Sequence, residues 1–482
     1  MSDHRPVIVW FRQDLRTDDH PALACATQDG RAVIAVFIWD PHGEGDWAVG
    51  GASSWWLHGS LKALQSSLAT LGSPLIIRQG KSANILLEIA KSTGAAGVHC
   101  SKRYEPSACA QEAIVRAELL AAGLSFQAHA GSLLHDPGAI RTGSGVPYKV
   151  YTPFAKSHRA AMSAELPLSA VKKLVASFTT VRGDALDDLQ LLPKIDWASS
   201  MRQCWQPGEA GAQQRLRNFI TARAGSYDRL RDIPGEDGSS QLSAHVHWGE
   251  ISPRRIWHEV SKSSAAATVG AQKYLAEILW RDFAYHIMFN FPKTANHPLR
   301  GEFAQFPWEP SPQRLKAWQL GQTGYPIVDA GMRQLWATGW MHNRVRMVVA
   351  SFLVKHLLQS WQDGARWFWQ TLVDADLSSN SLGWQWSAGC GADAAPYFRI
   401  FNPILQGEKF DPQGVYVRRW VSELARVPNE FIHQPWSAPA LVLLQAGVQL
   451  GVHYPHPIVD HVTARNRALA ALTKLGTLRS AK

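Results

Sequence analysis

A chain of 482 residues is long enough for at least two domains rather than one enlarged core. Its 46% hydrophobic and 18% charged residues describe a globular protein, and no apolar run approaches the roughly 20 residues that span a bilayer. A formal charge of +10 and a pI near 9.4 argue against an acidic, self-solvating chain and suit a polyanionic partner such as nucleic acid.

The polar N-terminus runs directly into a strand-like segment, so no secretory leader is expected and a cytoplasmic location follows. Five cysteines (Cys25, Cys100, Cys109, Cys204 and Cys390) are scattered, odd in number and without a CxxC pair. Free thiols are therefore expected, with no metal or iron–sulfur site. Tryptophan is the unusual feature. The chain has 21, and eleven of them fall between Trp280 and Trp420.

Up to residue 130, short β-branched runs alternate with helical patterns. Val7–Phe11, Ala32–Trp39, Pro74–Gln79, Gly97–Ser101 and Ser125–Ala130 read as strands. Ser53–Leu71, Ala83–Lys91 and Ser107–Ala122 read as helices. This alternation predicts a doubly wound α/β parallel sheet, with any ligand at the carboxyl ends of its strands. No GxGxxG follows the first strand, so a dinucleotide fingerprint is absent. Residues 131–205 lose the pattern and read as an interdomain connector, and residues 206–482 show helical periodicity and predict a large all-α domain.

Four stretches of that helical region concentrate chemistry. Gly238–Ser243, preceded by Tyr227 and Arg231-Asp232, offers hydroxyls and backbone N–H groups that can cradle a diphosphate or simply cap a helix. Glu277, Trp280 and Arg281 share one helical face. They suit a planar heterocycle beside a phosphate, or equally an intrahelical ion pair beside a core indole. In the run from Gly339 to Met347, Asn343 and Met347 lie one turn apart, flanked by Trp340, Arg344 and Arg346. An amide there can read a base edge and a guanidinium can pair with phosphate or a buried carboxylate. The run Asp374–Trp386 packs Asp374, Asp376, Asn380, Trp384 and Trp386 into thirteen residues. Hydrogen bonding to a heterocyclic cofactor explains the amide as well as the acids, which a metal site does not.

These stretches, with Thr323–Leu335 (TGYPIVDAGMRQL) and Ala394–Pro412 (AAPYFRIFNPILQGEKFDP), resemble the flavin domain of the photolyase/cryptochrome family. Val9–Asp19 (VWFRQDLRTDD) is similar to the start of its antenna domain, so the likeness runs along nearly the whole chain. The resemblance implies FAD, active as FADH⁻, held by Tyr227, Ser239, Ser240, Gln241, Leu242, Ser243, Arg346, Asp374, Ala375, Asp376 and Asn380. It pairs Arg346 with Asp374 beside the isoalloxazine and puts Asn380 next to flavin N5. Glu277, Trp280, Asn343 and Met347 match the pocket for a flipped-out pyrimidine dimer, with Asn380 joining them in the catalytic set. Arg281, Arg344 and Gln406 resemble DNA contacts, as do Glu277, Trp280 and Asn343 within the pocket. Trp384, Trp361 and Trp308 match the family's tryptophan electron-transfer triad.

Within the family the likeness is to bacterial class III cyclobutane pyrimidine dimer photolyases, sisters of the plant cryptochromes. It implies a carbon–carbon lyase that repairs UV-damaged DNA in light, acting as a monomer with no protein or membrane partner. A cryptochrome blue-light receptor is the alternative. Such receptors typically carry Asp at the positions of Asn343 and Asn380 and lack an indole at Trp386, and here no long tail follows His461. Enzymes for the 6–4 photoproduct use a His near the Asn343 position. For the antenna, Gly50-Gly51 with Trp55 and Trp56 resembles a methenyltetrahydrofolate site, and 8-hydroxy-deazaflavin is the alternative chromophore. Tyr274 and Ser381-Leu382 depart from many relatives.

Overall fold

In the computed structural model the described residues are 4–28, 30–162, 166–176, 181–394 and 398–480. Positions 395–397 of the FNPIL-containing motif lie outside them. The chain forms two compact units. One comprises Met1–Gly225, Ser240–Pro292 and Val373–Ser378; the other comprises Ser226–Ser239, Lys293–Leu372 and Ser379–Lys482. The first therefore takes in, besides the α/β region and the connector, segments grouped by sequence with the helical domain.

The first unit is built on parallel strands β1 (Val7–Phe11), β2 (Ala32–Trp39), β3 (Ile76–Gln79), β4 (Gly97–Ser101) and β5 (Ser125–His129), in the order β3-β2-β1-β4-β5. A two-residue strand, β6 (Val175–Ala176), pairs with the start of β2. Every residue of β1 and β4 is buried, as a sheet covered on both faces requires. Ile8, Trp10, Val98, Cys100 and Phe126 share one core cluster with Leu86 and Ile89. Helices α1 (Pro21–Thr27), α2 (Gly51–Leu71), α3 (Ser82–Thr93) and α4 (Pro106–Ala121) lie between the strands.

Two helices of this unit were not legible in the pattern. α1 begins at Pro21, and its cap is His20, whose Nδ1 accepts from the Leu23 N–H at 3.0 Å. Imidazole does here what Ser or Asp usually does. α5 (Tyr151–Ala161) lies in the connector; Pro153 falls in its first turn, where the missing N–H costs nothing. α5 packs on the Val269–Asn290 helix, with Phe154 buried against Phe283 and His286.

The second unit is helical. Its main elements are Pro312–Gln319, Pro326–Thr338, Asn343–Ser351, Trp361–Thr371, Pro403–Phe410, Val415–Trp420 and His461–Ser480. The Pro326–Thr338 helix stops at Gly339, whose φ of 66° places it in the left-handed region. The Asn343–Ser351 helix continues into a π turn, Phe352–His356. The Thr323–Leu335 motif is held by its own buried acid. Asp329 accepts from the Thr323 and Gly324 N–H groups (2.7 and 3.0 Å), the Thr323 hydroxyl and the Tyr454 hydroxyl (2.6 Å each). Among the described residues no helix is long and apolar enough to cross a membrane.

Candidate active site

The expected site residues divide between the two units. In the first, the Val269–Asn290 helix carries Glu277, Trp280 and Arg281. Trp280 is half-buried, and the ring of Tyr151 lies flat on it, with centroids 3.7 Å apart and planes 6° from parallel. The Tyr151 hydroxyl donates to the Ala276 carbonyl at 2.7 Å, which fixes that ring. Tyr151 stands in what the sequence presents as a connector, and only its aromatic character could have drawn notice.

Arg281 turns inward. Its guanidinium donates to the Ser132 carbonyl at 2.6 Å, lies 4.6 Å from the Tyr285 ring and stands 3.8 Å from Asp376. Burial alone would lower its pKa, but Tyr285 and Asp376 outweigh that and hold it above the ordinary value. A guanidinium placed in this way anchors Asp376 from the same helix that carries Glu277 and Trp280. Asp376 also accepts from the Tyr285 hydroxyl at 2.7 Å, and His247 Nδ1 lies 3.7 Å away. Burial and the neighbouring carboxylate push the Tyr285 phenol well up, so it remains a donor. Asp374 and Ala375 are buried beside it in sequence. Asp282, which follows Arg281 in its helix, clamps the connector, accepting from the Leu134 and His135 N–H groups and from His158 Nε2 at 3.0, 3.2 and 2.9 Å.

The hydroxyl-rich segment of this unit is shaped rather than loose. Gln241 has φ 51°, strained for a residue with a side chain, and its Oε1 accepts from Arg215 at 2.8 Å. Ser240 Oγ accepts from Tyr274, whose phenol burial pushes up to about 12. Leu242 is buried, and Ser243 opens the short Ser243–His247 helix.

In the second unit Tyr227 is buried under the Arg231 guanidinium, 5.3 Å from its ring, and Ser239 is half-buried. Asn343 is exposed at the start of its helix, with Arg346 and Met347 half-buried behind it. The helix is capped by His342, whose Nδ1 accepts from the Arg344 N–H at 3.2 Å. Burial lowers that imidazole to about 4, against the pull of Asp232, so it is neutral and able to accept. Arg344 pairs with Asp232 at 2.9 Å over the Phe410 ring, and Arg346 donates to the Met341 carbonyl at 2.8 Å. Asn380 donates its amide to the Ala365 carbonyl at 3.1 Å, and Gln406 is half-buried on the Pro403–Phe410 helix.

The three triad indoles all belong to this unit, and backbone links tie them in sequence. Glu309, next to Trp308, donates its N–H to the Leu358 carbonyl at 2.8 Å, and the Ser311 N–H donates to Gln359 at 3.0 Å. Trp361 follows two residues later and opens the next helix. One turn on, a Cβ placed on Gly364 would sit 2.1 Å from the Trp384 ring. Trp384 thus rests on the helix that Trp361 begins, edge-on to Phe368 at 4.9 Å. Exposure is graded along the series: Trp384 and Trp361 are each 2% exposed, whereas Trp308 is half-buried.

Of the antenna residues, Trp56 is fully enclosed. Its Nε1 donates to Glu250 at 3.1 Å, and Glu250 also accepts from the Gly208 N–H at 2.6 Å, from Ser60 and from His245. Trp55 is buried beside it, and Gly51 begins α2 after Gly50. A separate cleft lies at the carboxyl ends of β1 and β2, lined by Trp10, Arg12, Trp39, Asp40, Arg103 and Trp248 among others.

Residues 7–172 match the family model described as DNA photolyase, and residues 274–474 match the one described as FAD binding domain of DNA photolyase. The chain is 47% identical to deoxyribodipyrimidine photo-lyase of Agrobacterium fabrum, over 97% of each chain. It is 39% identical to cryptochrome-1 of Arabidopsis thaliana, over 98% of this chain and 71% of that one. The structure superposes on a class III photolyase from Agrobacterium tumefaciens with TM-score 0.95, 45% identity and 99% coverage of both chains.

The residues present fit a flavin. In the Asp374–Trp386 motif, the Ser378 hydroxyl and Trp384 Nε1 are buried without a hydrogen-bond partner among the described residues. Such unsatisfied donors cost about 1–3 kcal/mol each unless a bound group meets them. Carboxylates, an amide and a guanidinium supply the mixed donors and acceptors that a heterocycle edge requires.

Proposed function

The chain belongs to the photolyase/cryptochrome family, and from that premise we propose that it repairs cyclobutane pyrimidine dimers in DNA, using light. The observation that carries this reading is the full-length likeness to a photo-lyase, over 97% of both chains. Reduced FAD, when bound, supplies the light-excited electron that splits the dimer. Tyr227 and Ser239 to Ser243 would hold its phosphates, Arg346 and Asp374 its ring, and Asp376 its polar edge, with Arg281, Tyr285 and His247 fixing that carboxylate.

The chain's own work is to receive and hold the substrate. A dimer must leave the base stack to be reached. Trp280, with one face covered by Tyr151, offers the other face for stacking. Glu277, one turn earlier, would hydrogen-bond the pyrimidines and so stabilise the anionic charge that develops on them. By the resemblance, Asn343 and Met347 would also contact the dimer, and Arg281, Arg344 and Gln406 would meet the DNA backbone. Asn380 is an amide rather than an acid, and so adds no second negative charge beside an anionic flavin.

For the antenna, methenyltetrahydrofolate at Gly51 and Trp55, backed by Trp56, remains the reading. The strand-end cleft, lined by indoles and by Arg12 and Arg103, which pair with Glu112 and Glu44, supports 8-hydroxy-deazaflavin as the second one. Mass spectrometry of chromophores released from purified protein separates them.

The main reading is tested with chemically reduced protein and dimer-containing duplex DNA. Restoration of intact pyrimidines under blue or near-ultraviolet light, and none in the dark, is expected. A protein that binds FAD and DNA yet restores nothing would instead be a receptor of the cryptochrome kind.

A further inference from the structure

The β4–β5 register places His99 opposite Gln127 and Ser101 opposite His129. Alternation along both strands sends Val98, Cys100 and Phe126 into the core on one face. His99, Gln127 and His129 therefore share the other face, over which α1 packs and from which Cys25 reaches in. The two imidazoles are stacked, with centroids 5.3 Å apart and planes 10° from parallel, and His99 Nδ1 lies 3.1 Å from His129 Nε2. Cys25 Sγ and one nitrogen of each ring all lie within 4.8 Å of one another.

We propose that Cys25, His99 and His129 form a binding site for a thiophilic metal ion of the zinc class in the α/β domain. Two imidazoles on one tetrahedral ion with bonds of about 2.0–2.1 Å hold their nitrogens about 3.3–3.4 Å apart. The observed 3.1 Å, an imidazole–imidazole hydrogen bond, is close to that separation, and the ion would replace that bond as the shared proton moves to the donor ring's other nitrogen. The Cys25 sulfur lies within 4.8 Å of both ring nitrogens, and a shift of its half-buried side chain toward them would close the set. A sulfur and two imidazoles without a carboxylate select zinc-like ions over magnesium or calcium. Binding releases the thiol proton to solvent, and the thiolate offsets one of the two metal charges. That offset matters because Arg31 and Lys102 place further positive charge near the two rings. A fourth position remains for water or for Gln127, whose Oε1 is 3.9 Å from Cys25 Sγ.

The test uses the full-length, untagged, FAD-loaded protein, stripped with a chelator and dialysed against zinc. One tightly held equivalent is expected by elemental analysis. Its X-ray absorption spectrum should show one sulfur scatterer with imidazole multiple scattering. Cys25→Ser, His99→Gln and His129→Gln should each weaken binding by about tenfold or more, with FAD content unchanged, whereas Cys109→Ser should not. Absence of a tight equivalent, a coordination shell without sulfur, or affinity untouched by Cys25→Ser would overturn the proposal. The sulfur signal of the unmodified protein decides the matter even if a histidine variant fails to fold.

Discussion

Tyr151 lies flat against Trp280, with ring centroids 3.7 Å apart and planes 6° from parallel. The contact fixes the indole and covers one of its faces, so a flipped-out base can stack on the other face alone. Removing the phenol should cost about 1 kcal/mol of stacking order, roughly a fivefold loss of affinity for dimer-containing DNA. Tyr151→Ala is expected to show that loss in a binding titration while FAD stays bound. Tyr151→Phe keeps the stack, gives up only the bond to Ala276, and should bind nearly as well as the unmodified protein. Equal affinity for Tyr151→Ala would remove Tyr151 from the pocket.

Gly364 sets the position of Trp384. A methyl there would meet the indole at 2.1 Å, and both the helix and the ring are packed, so the indole must move. Gly364→Ala should destabilise the protein by about 1–3 kcal/mol and slow photoreduction of the flavin. Trp308→Phe and Trp384→Phe remove an oxidisable ring without crowding and should slow photoreduction, at little cost in stability for the half-buried Trp308 and about 1–2 kcal/mol for the buried Trp384. Enzyme already reduced by dithionite should still repair in both Phe variants. Loss of repair under those conditions would count against an electron-relay role.

Much of this architecture is legible in residue patterns, because strands buried on both faces leave short, mostly apolar runs with β-branched residues. β1, β2 and β4 begin and end where those runs do. α1 was hidden by an unusual cap, His20, and α5 by a proline that sits harmlessly in the first turn. The chemistry-bearing motifs were readable where their residues are neighbours in the chain, as in Asp374–Trp386. Tyr151 was not, since its value comes from the partner it covers. The partners of Arg281 were hidden for a related reason: spacing puts it on the face of Glu277 and Trp280, but only the fold brings Ser132, Tyr285 and Asp376 to it. Cys25, His99 and His129 were invisible as a group; His99 and His129 are 30 residues apart, and only strand pairing joins them.

Lys355 gives the fold a pH dependence. It sits in the π turn, donates to the Arg399 carbonyl and lies 4.7 Å from the Phe398 ring. Burial, and secondarily Arg399, lowers its pKa from 10.5 to about 7. Between those values the unfolded chain holds a proton that the folded one does not, so stability rises with pH across that window. Below about pH 7 both states are protonated and the penalty is complete; above about 10.5 it is gone. Lys355→Met should flatten this slope and raise stability near pH 7, by an amount on the order of a few kcal/mol at most. Denaturant titrations of both proteins from pH 7 to 10 measure it. A stability difference that does not change with pH would show that Lys355 keeps its charge at no cost.

Asn343 allows recognition to be separated from folding. It is exposed at the first position of the Asn343–Ser351 helix, where the backbone N–H groups favour negative charge. Asn343→Asp should therefore leave stability unchanged or raise it by about 0.5 kcal/mol. The same substitution takes away the amide N–H donor and sets a carboxylate among DNA phosphates. Affinity for dimer-containing DNA should fall by about tenfold, or ~1.4 kcal/mol, with FAD content intact. Part of that loss is repulsion and part is lost base reading, and salt distinguishes them. Repulsion weakens undamaged and damaged DNA alike and fades as salt rises, whereas lost base reading is confined to the dimer and persists. If Asn343 reads the dimer, the gap between damaged and undamaged DNA narrows at every salt concentration. An unchanged gap would place Asn343 on the DNA path but outside the pocket.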